Sequence, residues 1–211
     1  MWRRLNRLIK PNGAIVLFGS EPFSSALRMS NIKEYKYDWI WEKSKVTGVL
    51  NAKKQPLRHI ENISVFYKKQ CIYNPQGVEK CNKETSTGNT GNGNSDNYGS
   101  VKVGKYIQTQ TGYPKQRLFF KSVGKTVHPT QKPVALMEYL IKTYTNEGEL
   151  ILDFTMGSGS TIVACQNTNR NGIGIELDEK YFNIATERIG KTNDLQLRKH
   201  PVTRVLLCRS R

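Results

Sequence analysis

The pattern of apolar and polar residues predicts alternating helices and strands in the first third of the chain. Four apolar residues between positions 2 and 9 fall on one face at helical spacing, and the turn formers Pro11-Asn12-Gly13 end that helix. The short run 14–18 is apolar at every position, which is typical of a strand buried on both faces, as in parallel sheets covered by helices. The pattern then predicts a helix over 22–30, and strands over 37–42 and 62–67 with a basic loop between them.

The middle of the chain has a different composition. From Glu84 to Ser100 it is almost entirely Gly, Asn, Ser and Thr, which cannot bury enough apolar surface to offset the entropy of ordering, so we expect a mobile loop. Basic and aromatic residues alternate around that loop, a composition that suits phosphates and unstacked bases, although an ordinary solvated insertion fits it equally well. The candidate nucleic-acid contacts are Lys102, Lys105, Tyr113, Lys115, Arg117, Lys121 and Lys125.

The last third returns to regular periodicity. An amphipathic helix after Pro133 is followed by a strand over 150–153, a helix over 161–166, a strand over 173–176 and a helix over 179–189. Strand–helix–strand–helix order predicts an α/β fold with a parallel sheet and right-handed crossovers. Residues 191–211 form a basic tail in which we identify no chemistry, and we expect it to lie outside the fold.

Charge and composition narrow the function classes. The chain has 211 residues, with 33 Lys and Arg against 17 Asp and Glu, so its net charge is +16. That excess favours a polyanionic partner, with nucleic acid first, while a basic surface that serves only solubility is the alternative. No apolar run approaches the roughly 20 residues of a membrane helix, and no signal peptide is recognisable. The four cysteines have neither metal-ligand spacing nor a disulfide pattern, so we expect a reducing cytoplasm and no metal.

The strongest local signal for chemistry is the segment Asp153-Phe-Thr-Met-Gly-Ser-Gly-Ser-Thr161. An apolar strand ends in a carboxylate, and glycines then turn the backbone tightly before a helix, at the edge where open α/β sheets bind ligands. A phosphate-binding loop lacks its Lys here, and a dinucleotide loop lacks its third small residue because Ile162 occupies that place. A second carboxylate, Glu176, ends the next strand at a spacing that suits ribose hydroxyls. S-adenosylmethionine, with its amino group, sulfonium and ribose diol, fits best, whereas a Gly-rich turn with unrelated acids is the plainer interpretation.

The hexapeptide His128-Pro-Thr-Gln-Lys-Pro133 directly precedes the helix before this loop. Its prolines fix the backbone around Thr130, Gln131 and Lys132, and donors at a helix start can hold a carboxylate, here the methionine end of a cofactor. Taken alone, the hexapeptide also fits a capped loop, with His128 as a packing residue rather than a base.

These motifs, in this order, resemble the amino-DNA methyltransferases of the circularly permuted β class, which include phage and restriction-modification enzymes. The resemblance is carried by 128–133, then 152–161, then Ile173-Gly-Ile-Glu-Leu-Asp-Glu-Lys-Tyr-Phe182. The segments 8–18, 37–43 and 61–68 are similar to the family's helix and strands that follow its catalytic motif. The family methylates adenine N6 or cytosine N4, and it implies a Rossmann-like fold of the class I S-adenosylmethionine-dependent methyltransferases.

The resemblance also implies site residues, partners and organisation. Cofactor contacts would come from Thr130, Gln131, Lys132, Asp153, Gly157, Gly159, Thr161 and Glu176. Double-stranded DNA is the expected partner and the cytoplasm of a bacterial or phage-infected cell the expected location, and a homodimer and a restriction endonuclease partner stay open. The expected organisation is 1–69 as the N-terminal half of the methyltransferase domain, 70–127 as a partly disordered target-recognition insert, 128–190 as the cofactor-binding half and 191–211 as the tail.

One family motif is absent from the sequence. The catalytic tetrapeptide of Asp, Asn or Ser, two prolines and an aromatic residue has no counterpart, because the chain contains no Pro-Pro dipeptide and Asn74-Pro75-Gln76 is only a partial match. In the family, that motif accepts the hydrogens of the base amine and stacks on the flipped base. We therefore assign no catalytic residue and expect an N-terminally truncated methyltransferase with weak or no activity alone. The strands over 14–18 and 150–153 would then pair directly or leave a slot for another segment.

Two other functions stay open at this point. One is a non-catalytic remnant that binds DNA or the cofactor, and the other is a methyltransferase that acts on RNA or protein. Adenine is favoured over cytosine only because phage-like relatives mostly methylate adenine.

Overall fold

The structure is a computed structural model that describes residues 1–87, 104–195 and 203–207. In these ranges no helix combines the length and the apolar character that a bilayer crossing requires. The helices are α1 (Trp2–Leu8), α2 (Phe23–Met29), α3 (Val134–Tyr144), α4 (Ser160–Asn167) and α5 (Glu179–Leu195). The strands are β1 (Ile15–Gly19), β2 (Tyr35–Thr47), β3 (Arg58–Phe66), β4 (Glu79–Thr87), β5 (Gly104–Thr111), β6 (Arg117–Phe120), β7 (Leu150–Asp153), β8 (Asn171–Glu176) and β9 (Thr203–Leu207), and a short 3-10 helix spans Val49–Asn51.

The N-terminal half forms a four-stranded sheet in the order β1-β3-β2-β6. This sheet is mixed, because β3 runs antiparallel to both of its neighbours. β6 pairs parallel with β2, so β1, β2 and β6 share one direction and end at the same edge of the sheet.

The C-terminal half forms a parallel sheet in the order β7-β8-β9. The parallel pairing of β7 with β8 confirms the prediction for this half. The prediction that residues 191–211 lie outside the fold is wrong for two segments: α5 continues to Leu195, and β9 pairs with β8 from Gly172↔Thr203 to Glu176↔Leu207. The short apolar run in β9 forms an edge strand of this sheet, and the sequence pattern did not indicate that it pairs with β8.

Helix α3 packs against both sheets. Leu136, Leu140 and Tyr144 belong to a core cluster with Trp39 and other residues of the N-terminal sheet. On another side of the helix, Ile141 contacts the cluster that contains Ala164 and Cys165 of α4. Because these side chains are buried, α3 contributes to fixing the two halves to each other.

Strands β1 and β7 each have one edge that lacks a strand partner among the described residues. β1 pairs with β3 and β7 pairs with β8, so the direct pairing of β1 with β7, one of the two predicted outcomes, does not occur. Instead, residues of both strands line a cavity of 790 Å³, together with side chains of α1 and α3. The cavity reaches the carboxyl end of β7, where the candidate site lies.

Residues 75–114 form a compact unit of their own. It contains the hairpin of β4 and β5, paired antiparallel from Glu79↔Thr111 to Thr87↔Gly104. The predicted mobile loop over 84–100 is wrong for 84–87, which are strand, and the rest of that prediction lies outside the described residues. The unit is also narrower than the predicted insert of 70–127, because β6 belongs to the first sheet, where Leu118 is buried in the core.

Candidate functional site

The loop after β7 turns sharply at two glycines. Gly157 has φ +52° and Gly159 has φ +76°, the left-handed conformation that other residues adopt only at a cost of about 1–2 kcal/mol. Gly159 is the N-cap of α4, so the loop delivers the chain directly into a helix N-terminus. A ligand at the carboxyl end of β7 would thus lie close to the N-terminus of α4.

Asp153 is the carboxylate at the end of β7, and it is held in one orientation. It accepts hydrogen bonds from Thr161 Oγ1 at 2.5 Å and from the Thr155 backbone N–H at 3.1 Å. Burial raises the pKa of Asp153 above its ordinary value, outweighing these hydrogen bonds, and the nearby Glu176 carboxylate raises it further. A cation placed beside Asp153 would stabilise its ionised form, so the site favours a positively charged ligand group.

Glu176, at the end of β8, ties the glycine loop to the neighbouring strand. Its Oε2 accepts a hydrogen bond from the Gly157 N–H at 2.8 Å, and its Oε1 accepts from the N–H groups of Leu177 and Asp178 at 2.8 and 3.0 Å. Arg188 of α5 donates to the Ser158 carbonyl on the same loop. The loop is therefore fixed by polar contacts from β8 and α5.

The loop 128–133 covers the glycine loop through His128. The His128 ring contacts the Tyr181 ring at a centroid distance of 4.2 Å, and a methyl group on Gly157 would lie 3.2 Å from the imidazole. His128 Nδ1 accepts a hydrogen bond from the Thr130 N–H at 3.2 Å, and Gln131 Oε1 accepts one from the Val127 N–H at 2.9 Å. These contacts give His128 a packing position between the two loops.

Lys132 has a partner that sequence reasoning missed. Its ammonium lies 2.7 Å from Glu61 Oε1, and Lys43 lies 2.6 Å from Glu61 Oε2. The Lys132 ammonium also lies 5.1 Å from the centroid of the Phe18 ring, within the range of a cation–π contact. This ion triad (Lys43, Glu61 and Lys132) joins the loop 128–133 to strands β2 and β3. In the sequence, Glu61 appears only as an acid just before the apolar part of β3.

Most of the predicted cofactor residues line the 790 Å³ cavity. Those that line it are Thr130, Gln131, Lys132, Asp153, Gly157 and Thr161, whereas Gly159 and Glu176 do not. Ser160 also lines it, and its buried hydroxyl oxygen has no hydrogen-bond partner in the described part of the chain. Ser160 is not among the predicted cofactor residues.

The predicted nucleic-acid contacts are divided between the two compact units. In the unit 75–114, Lys105 pairs with Glu84 at 2.9 Å and the Tyr113 hydroxyl donates to Gln110 at 2.6 Å. In the other unit, Arg117 pairs with Glu42 at 3.4 Å. The other three in that unit are Lys115, Lys121 and Lys125, which are all exposed, and Lys102 lies outside the described residues.

Comparison with known sequences finds a family and several relatives. The family described as DNA methylase, of the N6 and N4 methyltransferases, matches residues 1–187. The type II methyltransferase M.HpaI of Haemophilus parainfluenzae is 28% identical over 189 residues, covering 87% of this chain and 55% of the relative. The type II methyltransferase M2.DpnII of Streptococcus pneumoniae is 43% identical over 67 residues, covering 32% of this chain and 25% of the relative. The chain thus spans about half the length of M.HpaI.

Solved structures of DNA methyltransferases have the same fold. The M1.HpyAVI–SAM complex has a TM-score of 0.60 at 30% identity, covering 88% of this chain and 78% of that one. The PvuII DNA methyltransferase, described as cytosine-N4-specific, has a TM-score of 0.62 at 16% identity, covering 90% and 71%. These likenesses confirm the Rossmann-like fold of the class I methyltransferases that the sequence predicted.

Proposed function

The chain belongs to the DNA methylase family, and from that membership we propose that it serves the transfer of a methyl group from S-adenosyl-L-methionine to an amino nitrogen of a base in double-stranded DNA. The observation that carries the proposal is the fixed glycine loop beside the half-buried Asp153, open to a cavity at the carboxyl end of β7. Adenine N6 is proposed ahead of cytosine N4 on the family resemblance alone. The proposed location is the cytoplasm of a bacterial cell.

The residues present fit the cofactor. Asp153 suits its cationic amino group, and the Ser160 hydroxyl offers a further hydrogen bond at the start of α4. Thr130 and Gln131 line the cavity where a carboxylate would meet donors, and the positive charge of Lys132 lies in the same wall. Glu176 accepts three backbone N–H groups, which leaves about one of the four acceptor sites of a carboxylate for a ribose hydroxyl.

The bound cofactor would supply an electrophilic methyl group on a sulfonium. The residues of this chain would bind and orient that group, because the glycine loop is held from β8, α5 and the loop 128–133. Activation of a base amine, a poor nucleophile, is assigned in the family to the Pro-Pro motif, which the sequence lacks. We therefore propose that the 211-residue chain alone transfers methyl groups weakly or not at all.

Calorimetric titration with S-adenosylmethionine tests the cofactor site. We expect the wild type to bind, Asp153→Asn to bind at least tenfold more weakly because the carboxylate is lost, and the charge-matched control Glu179→Gln, on the exposed start of α5, to bind like the wild type. Equal binding by Asp153→Asn and the wild type contradicts the assigned site.

A transfer assay with a labelled methyl group tests the reaction, using duplexes that offer adenine or cytosine as the sole acceptor. Label on the adenine duplex supports the proposed base, and label on the cytosine duplex alone contradicts it. Competition with RNA separates DNA from RNA as substrate. A robust rate from the purified chain contradicts the proposal of weak activity.

A second candidate function is a binding protein without catalysis, favoured by the absence of the Pro-Pro motif from the sequence. It predicts tight cofactor binding and DNA binding with no transferred label, under conditions where a complete family enzyme is active. Sedimentation of the purified chain, alone and with a companion endonuclease, tests the homodimer and the partner that the resemblance leaves open.

A further inference from the structure

The segment between β2 and β3 is an exposed basic hairpin with apolar side chains at its tip. Every residue from Ser44 to Ile60, here called the basic hairpin, is exposed. Backbone pairing holds it at Thr47↔Arg58, and the tip is ordered by a left-handed Gly48 and the 3-10 turn Val49–Asn51. The hairpin is therefore a defined projection from the sheet rather than a loop packed on its surface.

The exposed apolar side chains of the basic hairpin are large and concentrated. Leu50, at the tip, is fully exposed, and Val49 beside it is 64% exposed. The other large apolar residues exposed in the hairpin are Val46, Leu57 and Ile60. A cluster of this kind on a folded surface is typical of an interaction site.

Charge determines which partner suits this surface. The hairpin contains Lys45, Lys53, Lys54 and Arg58, and there is no acidic residue between Glu42 and Glu61. A second copy of the chain, with the same hairpin and a net charge of +16, would be repelled, whereas a polyanion would be attracted. Apolar side chains flanked by cations are also the combination with which proteins wedge between base steps while neutralising phosphates.

The base of the hairpin is connected to the candidate site. Lys43 and Glu61, on either side of it, form the ion triad with Lys132, and Glu61 and Lys132 line the cavity that contains Asp153. A duplex that contacted the basic hairpin would therefore lie at the edge of the sheet where β1 and the ion triad meet the cavity.

We propose that the basic hairpin is a DNA-contacting element outside the predicted insert, in which Lys53 and Lys54 bind phosphates and Val49 and Leu50 insert between bases next to the target. The inference rests on the proposed function in taking DNA as the partner. The proposed role of the hairpin is to unstack the target base from its neighbours, which helps the base leave the duplex. Unstacking and unpairing a base costs a few kcal/mol.

Two pairs of variants of the 211-residue chain test the proposal, each with a matched control. Val49→Ser with Leu50→Ser removes the apolar tip, and Met29→Ser with Ile32→Ser removes two exposed apolar side chains elsewhere. Lys53→Gln with Lys54→Gln removes two hairpin charges, and Lys33→Gln with Lys36→Gln removes two exposed charges elsewhere. Fluorescence anisotropy on a labelled duplex at several salt concentrations measures affinity, and 2-aminopurine in the duplex reports unstacking.

We expect the tip variant to bind about tenfold more weakly with an unchanged salt slope, and to lose the rise in 2-aminopurine fluorescence. We expect the lysine variant to reduce the slope of log affinity against log salt by about 1.8, since each phosphate contact contributes about 0.9. Both controls should match the wild type.

Three results would overturn the inference, and they are distinguishable. Hairpin variants that bind duplex like their controls reject the hairpin while the proposed function stands. Absence of duplex binding by the wild type rejects DNA as partner for the chain and the hairpin together, while cofactor titration still reports on the cofactor site. Loss of binding to phosphatidylserine vesicles in the hairpin variants, with DNA affinity intact, assigns the hairpin to a membrane surface instead.

Discussion

Gly159, the N-cap of α4, is expected to tolerate no side chain because a methyl group there would clash with α5. Gly148 has the same backbone conformation without such neighbours, so a comparison of the two positions separates the clash from the backbone penalty. Gly159 and Gly148 have almost the same left-handed backbone, with φ +76° and φ +77°. A methyl group on Gly148 would meet nothing within 4 Å, whereas one on Gly159 would lie 3.1 Å from the Ala185 methyl and 3.2 Å from Ile189 Cδ1. Ala185 has no side-chain torsion with which to move away, so α5 itself would have to shift by a few tenths of an ångström.

Gly148→Ala should therefore cost only the left-handed penalty, about 1–2 kcal/mol of the free energy of unfolding. Gly159→Ala should cost that amount and a further 1–3 kcal/mol for overpacking against α5. Urea denaturation measures both, and calorimetry should show weaker S-adenosylmethionine binding for Gly159→Ala alone, because its loop, unlike that of Gly148, contains the predicted cofactor residue Gly157. Equal unfolding free energies for the two variants would refute this account of Gly159.

Three further predictions follow from buried polar groups. A cationic ligand needs Asp153 ionised, and burial raises the pKa of Asp153 above 3.8. The affinity for S-adenosylmethionine should therefore increase as the pH rises through that pKa, and this pH dependence should vanish in Asp153→Asn. A constant wild-type affinity between about pH 4 and pH 7 argues against this role of Asp153. Glu61→Gln should lower the free energy of unfolding by about 3 kcal/mol, because Lys43 and Lys132 lose their shared carboxylate. Adding Lys43→Met should recover part of that loss. Unchanged thermal stability of Glu61→Gln rejects a stabilising role for the triad. Tyr144→Phe should lower the free energy of unfolding by about 1–3 kcal/mol in urea denaturation. It removes the hydroxyl that accepts a hydrogen bond at 2.6 Å from the buried indole N–H of Trp39. A loss below about 0.5 kcal/mol speaks against that hydrogen bond.

A strand that is a short apolar run between turn residues could be predicted from the sequence to the residue. The strand predicted over 150–153 is β7, Leu150–Asp153, because an apolar run between turn residues leaves few alternatives. Strands held by backbone pairing alone could not be predicted. β2 extends to Thr47, well beyond the predicted end at 42, and its last residues are exposed, so no burial pattern marks them. The same reason explains β4, where polar residues form half of a hairpin.

Within the candidate site, residues of one short motif could be predicted from the sequence, whereas contacts between distant residues could not. Asp153, Gly157 and Thr161 lie within one short motif, and local chemistry was sufficient to connect them. The contact of Glu61 with Lys132 joins residues far apart in the chain, and it exists only because β3 and the loop 128–133 meet in three dimensions. A single sequence contains no signal for such a pair, so Lys132 could be predicted as a cofactor residue but not as the partner of a buried carboxylate.

Cofactor binding and methyl transfer are expected to depend on different parts of this chain. The glycine loop is fixed by Glu176 of β8, by Arg188 of α5 and by His128, and none of these contacts involves β1 or the free edge of β7. The opposite wall of the cavity is β1, whose second edge has no strand partner in the described ranges. A base amine that entered from that wall would need acceptors there, and the family places them in the motif that this sequence lacks. The proposed function therefore predicts cofactor binding without efficient transfer, and a segment that supplied the motif beside β1 should increase the transfer rate far more than the affinity for the cofactor.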